Sequence, residues 1–175
     1  MTDGLTRTDT IRRLGFAVAI LIYGVDQLIK VLITGPLHLP DRIGGVIEVL
    51  PIFRLLWVEN HGISMGFLTA GSTSGRWMLV GLTGAIAVAV VYWLWRERNR
   101  LDAAALGLVL GGALGNITDR VRLGYVADFL DLHFGDLHPF LVFNVADAAI
   151  TIGVLLLVLR ALFVRDPAAS EDLHA

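Results

Sequence analysis

The sequence predicts an all-α membrane protein: four transmembrane helices, a small β-element in the first outer loop, and both termini cytoplasmic. Three observations carry this. Apolar residues make up 55% of the chain and charged residues only 17%, with a mean hydropathy of +0.71. Soluble domains typically carry about 25% charge, so the polar surface here is too small to cover a water-soluble globule. Four stretches also approach the roughly 20 apolar residues that a spanning helix needs. Finally, the arginines cluster where four spans would gather them on one side.

The spans read in order as 14–33, 77–95, 103–118 and 139–159. The first is apolar except for Asp26, Gln27 and Lys30, and the second carries no charge. The third is uncharged, shorter and rich in glycine, and the fourth contains one charge, Asp147. Arg7, Arg12 and Arg13 precede the first span, Arg96, Arg98 and Arg100 fill the turn between the second and third, and Arg160 and Arg165 follow the fourth. That side is cytoplasmic by the distribution of positive charge, so the connections 34–76 and 119–138 face outward. The first span is not a cleavable signal peptide: its apolar run is too long, and no small-x-small site follows.

A single integral-membrane domain covers 1–175, with 166–175 a polar, disordered tail. Gly107, Gly111 and Gly115 in the third span let helix backbones approach closely, and Trp77, Tyr92, Trp93 and Trp95 mark the ends of the second. In the first outer connection, 46–50 and 52–58 are β-rich runs divided by Pro51, which predicts paired strands. Residues 71–75 read as a turn before span two.

Several chemistries drop out. A net charge of −2 offers no basic field for nucleic acid. With no cysteine there is no disulfide, thiolate metal site or cysteine nucleophile. There is no H-E-x-x-H, and His38, His61, His133, His138 and His174 are scattered, so no zinc site is expected.

What remains is a set of expensive polar residues at one depth. Ionisable groups within spans are costly and mark functional candidates. Asp26 and Lys30 fall in the outer half of span one. Asn116 sits at the outer end of span three with Asp119 and Arg120 just beyond, Asn144 and Asp147 lie in the outer part of span four, and Asp128 is in the last connection. This is the pattern of a site, not a pore. Asp26–Lys30 and Asn116–Arg120 are spaced i,i+4 and Asn144–Asp147 i,i+3, so each pair shares a helix face.

Asp26 and Lys30 suit an ion pair tying span one to its neighbours. Asp147 has no cation within its own span. Beside a second carboxylate it could share a proton, one acid activating water while the other protonates a peptide carbonyl. Asp128 and Asp119 are both candidate partners, although Asp119 could instead hold Arg120. Two other readings stay open at this point. One is a non-enzymatic membrane protein with a buried Asp147–Lys30 pair. The other is a serine peptidase using Ser64, since residues 62–66 spell G-x-S-x-G. A nucleophile elbow needs an α/β sheet for which this chain has no room, so 62–66 reads as a glycine-rich turn suited to close approach of an extended ligand.

The motifs together resemble the lipoprotein signal peptidases, or signal peptidase II, the membrane aspartyl peptidases of bacteria, from about Asp26 to Gly153. Asp26-Gln27-Leu28-Ile29-Lys30 resembles D-Q-x-x-K, and Asn60-His61-Gly62 resembles N-x-G. Gly111 to Asn116 and Asp119-Arg120 follow in order. Gly124 to Phe129 resembles G-x-V-x-D-F, and Phe143-Asn144-Val145-Ala146-Asp147 resembles F-N-x-A-D. The chain departs from the family pattern at Ile63, Ser64 and Met65 and at Thr118, which touches the fit of the substrate and neither aspartate.

The resemblance implies an aspartic endopeptidase that removes the signal peptide from diacylglyceryl-modified bacterial prolipoproteins, cutting N-terminal to the lipidated cysteine. Its catalytic pair would be Asp128 and Asp147, with Asn60, Gly62, Asn116, Arg120 and Asn144 binding substrate and Asp26, Lys30 and Asp119 as polar support. It implies no metal and no cofactor. The partners would be the prolipoprotein, membrane lipid and a globomycin-type inhibitor, and the location the bacterial plasma (inner) membrane with the active site at the outer leaflet.

Overall fold

The computed structural model describes residues 2–62, 72–135 and 137–163. Four helices are long and apolar enough to cross a membrane: α1 (Thr2–Thr34), α2 (Thr73–Arg96), α3 (Arg100–Arg122) and α4 (Val145–Phe163). Three antiparallel strands, β1 (Val46–Leu50), β2 (Phe53–Asn60) and β3 (Val126–Leu132), form one sheet in the order β1-β2-β3. The chain is a multi-pass membrane protein.

Helix α3 is the central one, packed against α1, α2 and α4. It can be central because its contact faces are nearly bare. A Cβ on Gly111 would fall 2.5 Å from the Ala19 carbonyl oxygen of α1, and one on Gly112 would strike the Ala146 carbonyl of α4. Around these contacts Ile11, Ala19, Ala87, Leu94, Leu106 and Leu110 form a shared core. The other three helices turn most of their apolar surface outward, as lipid-facing helices do.

The paired strands expected at 46–50 and 52–58 are present as β1 and β2. The third strand was not expected: residues 119–138 read as a connection, yet β3 pairs with β2, with Val58 opposite Asp128 and Asn60 opposite Val126. Ile33, Leu39 and Phe129 bury themselves together and fasten the sheet to the C-terminal end of α1.

Four boundaries move from their expected places. Helix α1 begins at Thr2 rather than 14. The third span runs to Arg122, so Asp119 and Arg120, expected just beyond it, lie within the helix, where Asp119 finds partners in Lys30 and Ala127. The fourth helix begins at Val145 rather than 139: the preceding stretch is extended, with Phe143 bridged to Leu130. The turn expected at 71–75 is already helix from Thr73, capped by Ser72, whose Oγ accepts from the Gly75 N–H at 3.1 Å. Residue 71, the tail 166–175 and Ser64 lie outside the described residues.

Candidate active site

Asp128 projects from β3 and is almost wholly buried. Its two carboxylate oxygens are both engaged: one accepts from the Asn60 side-chain amide at 2.9 Å, the other from the Asn144 side-chain amide at 2.7 Å. Asp147, on the first turn of α4, is half-buried. One of its oxygens accepts from the Asn116 amide at 2.8 Å and the other from the Asn144 backbone N–H at 3.2 Å. Asn144 therefore donates to both carboxylates. Its amide also reaches Asn116 Oδ1 at 3.2 Å, and its own Oδ1 accepts the Asp147 N–H at 2.9 Å. With Asn144 directly before α4 and Asp147 three residues on, these reciprocal bonds are a capping box. The side chains that start the helix are the ones that hold the site.

The surroundings of Asp128 favour its neutral form. Burial is the largest influence and pushes its pKa up; the Asn60 bond opposes, the negative charge of Asp147 adds to the rise, and the Asn144 bond and Lys30 charge oppose again. The net position is about 6, from an ordinary 3.8.

Beside this pair lies a buried ion cluster. Lys30 Nζ is 2.8 Å from Asp26 and 2.7 Å from Asp119. Gln27 donates to both carboxylates, at 3.1 and 3.3 Å. Each acid then reaches a backbone N–H: Asp119 accepts from Ala127 at 3.1 Å, and Asp26 from Ala146 at 3.0 Å. Ala127 precedes Asp128 and Ala146 precedes Asp147. A single lysine thus anchors, through two carboxylates, the backbone next to each aspartate of the pair. A Cβ on Gly115 would sit 2.5 Å from Asp26 Oδ2, so only glycine leaves this anchor its room.

Every site residue expected from sequence lies in one of these two networks or against them. Arg120 is within electrostatic reach of Asp147, Asp128 and Asp119, and its Nη1 lies 3.5 Å from the Asn116 carbonyl. Its buried Nε has no hydrogen-bond partner among the described residues. Asp119 answers to Lys30 and Ala127, and no described bond joins it to Arg120. Gly62 has φ 90, a left-handed value that favours glycine, and its N–H is held by Asn60 Oδ1 at 2.9 Å. A Cβ there would collide with Leu79 of α2.

Sequence reasoning gave Gln27 no role and did not see the two alanine N–H groups. For Gln27 the signal was its place between Asp26 and Lys30 in the motif. Backbone donors leave no compositional trace. Asp147 also borders a cavity of about 560 Å3, walled mainly by Phe140, Leu141 and Phe143 and by Thr151 and Ile152 of α4. Its walls are mostly apolar, so a hydrophobic chain could lie in it against that carboxylate.

The family model described as signal peptidase (SPase) II matches residues 18–163. A lipoprotein signal peptidase of Rhizorhabdus wittichii is 64% identical over 156 residues, covering 89% of this chain and 90% of that one. One from Sphingopyxis alaskensis is 51% identical over 160 residues, covering 91% of each. A solved bacterial membrane enzyme, determined by the in meso method, aligns with a TM-score of 0.71 at 31% identity, over 85% of this chain and 87% of the other.

Proposed function

The chain belongs to the signal peptidase II family, and on that premise we propose that Asp128 and Asp147 are the acid pair with which it cleaves prolipoproteins. The bond cut lies N-terminal to the diacylglyceryl cysteine. The observation that carries the assignment is Asn144, which donates to both carboxylates at once. Proton sharing between neighbouring carboxylates is how aspartic peptidases activate water. The raised pKa of Asp128 supports a pair that still holds one proton up to about pH 6, titrating as a unit.

The step runs as general acid–base catalysis. A water attacks the carbonyl carbon before the cysteine and gives a proton to the ionised carboxylate, while the protonated partner hands its proton to the carbonyl oxygen. The gem-diol intermediate collapses: one hydroxyl returns its proton to the ionised carboxylate as the C–N bond breaks and the leaving amine takes a proton from the other, so the pair again holds one proton. The signal peptide departs with a new carboxylate, and the lipoprotein keeps a free α-amino group on its lipidated cysteine.

The other residues hold substrate and pair. Asn116, Asn144 and Asn60 fix the carboxylates and face the substrate backbone. Gly62, whose left-handed backbone carries no side chain, lets an extended chain approach, and the positive charge of Arg120, within electrostatic reach of both aspartates, helps hold the substrate beside them. Asp26, Lys30 and Asp119 are polar support. The cavity beside Asp147 admits the lipid-bearing end of the substrate from the outer leaflet of the bacterial plasma (inner) membrane, and a globomycin-type cyclic peptide competes there.

The test is direct. Purified protein in lipid is incubated with one prolipoprotein in diacylglyceryl-modified and unmodified forms, and the products are weighed by mass spectrometry. The expected result is a single break just before the cysteine in the modified form, abolished by globomycin. An intact lipidated substrate, or a break elsewhere, overturns the proposal.

A further inference from the structure

The stretch between β3 and α4 that walls the cavity beside Asp147 is tied down at both ends. At the far end Phe143 bridges Leu130. The Phe143 N–H donates to the Leu130 carbonyl at 3.0 Å, and its carbonyl accepts the N–H groups of Leu130 at 2.8 Å and Phe129 at 3.1 Å. At the near end the tie is a side chain. His138 Nδ1 lies 3.1 Å from one oxygen of Asp131, and Arg54 Nε lies 2.6 Å from the other. Asp131 is 1% exposed; burial favours its neutral form, but Arg54 and His138 hold it ionised. An ionised carboxylate only accepts hydrogen bonds, so the imidazole N–H donates here. The His138 ring also stacks on His133, with centroids 5.7 Å apart, and the His133 backbone N–H donates to the Ile52 carbonyl at 3.0 Å.

Between the ties run Pro139, Phe140 and Leu141, three of the residues that wall the cavity. Phe140 and Leu141 are 60% and 91% exposed, so packing among the described residues does little to place them. The ties place them instead. Pro139 carries the near one forward: its ring fixes its own φ and confines the residue before it to extended backbone. Where His138 is held, the start of the wall is held.

We propose that His138, tied to Asp131, is a positioning residue that holds this wall in place for the lipid-bearing end of the substrate. It acts through Phe140 and Leu141 and touches none of the reacting groups, and its role rests on the cavity taking the lipid, as proposed above. Loosening the tie then weakens binding and spares the chemical step, the signature of a contact made equally in the ground state and the transition state.

The experiment takes two readouts from the full chain in lipid: the Kd of a fluorescent diacylglyceryl-cysteine peptide, and kcat for a diacylglyceryl prolipoprotein. The His138 side chain is 42% exposed, so His138→Ala should fold, as a melting curve checks. It should raise Kd at least about fivefold, or about 1 kcal/mol, with kcat within about twofold of wild type. His138→Asn puts an amide nitrogen where Nδ1 sits and should restore most of the affinity. Leu141→Ser alters the wall, leaves the tie intact, and should weaken binding as well. An unchanged Kd in His138→Ala or Leu141→Ser, an asparagine variant no better than the alanine one, or a fall in kcat without a change in Kd would each overturn the proposal. Cleavage by wild type is scored separately: if the peptide binds but the prolipoprotein stays whole, the catalytic reading falls, and the Kd values still decide the role of His138.

Discussion

Asn144 and Asp147 cap one another. Asn144 Oδ1 accepts the Asp147 N–H at 2.9 Å, and Asp147 Oδ2 accepts the Asn144 N–H at 3.2 Å. The bonds that start α4 also orient the carboxylate assigned to chemistry. Replacing Asn144 by alanine removes the cap, worth about 0.5–2 kcal/mol, and strips Asp128 and Asn116 of a buried partner, at about 1–3 kcal/mol. We expect a lower melting temperature and a roughly tenfold fall in kcat, below the roughly 10²–10⁴ attributed to positioned acids and bases themselves, because Asn144 only orients them. A melting curve and a cleavage assay on the same preparation check both.

Lys30 is the most consequential side chain outside the pair. Lys30→Met removes the ion-pair partner that Asp26 and Asp119 share, and losing one partner of a buried ion pair costs about 3–5 kcal/mol. The expected outcome is a variant that unfolds many degrees below wild type, read by thermal melting in detergent. A melting temperature close to wild type would mean that the cluster does not anchor Ala127 and Ala146 in the way described.

The α1–α3 contact makes a packing prediction. Gly111→Ala places a methyl 2.5 Å from the Ala19 carbonyl oxygen, where backbone cannot easily yield. Overpacking of this kind costs about 1–3 kcal/mol. Gly84→Ala on α2 meets nothing within 4 Å and serves as the neutral control in the same melts.

Stability should also carry a pH signature from Asp128. Its folded pKa is raised from 3.8 to about 6, so between those values the folded chain holds more of its proton than the unfolded one. Linkage then makes this contribution to stability full below about 4, lost as pH rises through about 6, and flat above. The melting temperature of Asp128→Asn relative to wild type should therefore climb from pH 4 to pH 6 and level off by pH 7. A difference that stays constant with pH would contradict the raised pKa. Asp131 shifts the other way: burial would raise it, but Arg54 and His138 hold it below the ordinary range, so its loss of stability falls at lower pH, outside this window.

Much of this was legible in the residues, for identifiable reasons. Spans one and two show as apolar runs, and Gly107 and Gly111 announce the close approach to α1 that the structure shows. The C-terminal end of α3 is not legible because hydropathy stops at Asn116, Asp119 and Arg120. Their cost is met by partners such as Lys30 and Asp147, which lie far away in sequence. The start of α4 is masked because residues 139–143 are mostly apolar yet extended, and only the Asn144–Asp147 spacing hints at the cap. Strand β3 stayed hidden because most of it is buried, so it lacks the alternation of a half-exposed strand. The anchoring of Ala127 and Ala146 runs through backbone N–H groups and had no signal to find. Asp26, Lys30, Asn60, Asn116, Asp128, Asn144 and Asp147 were all named from depth, spacing and motif, and the structure brings them into the two adjoining networks.

The central claim is that Asp128 and Asp147 act together on the peptide bond. The most direct test is single-turnover cleavage of a diacylglyceryl prolipoprotein by wild type, Asp128→Asn, Asp147→Asn and Ser64→Ala, each first shown to be folded by its melting curve. The account predicts that each aspartate variant melts cooperatively yet loses at least about 10²-fold in rate, while Ser64→Ala cuts at the wild-type rate. Folded Asp128→Asn or Asp147→Asn protein that cuts at the wild-type rate would contradict it.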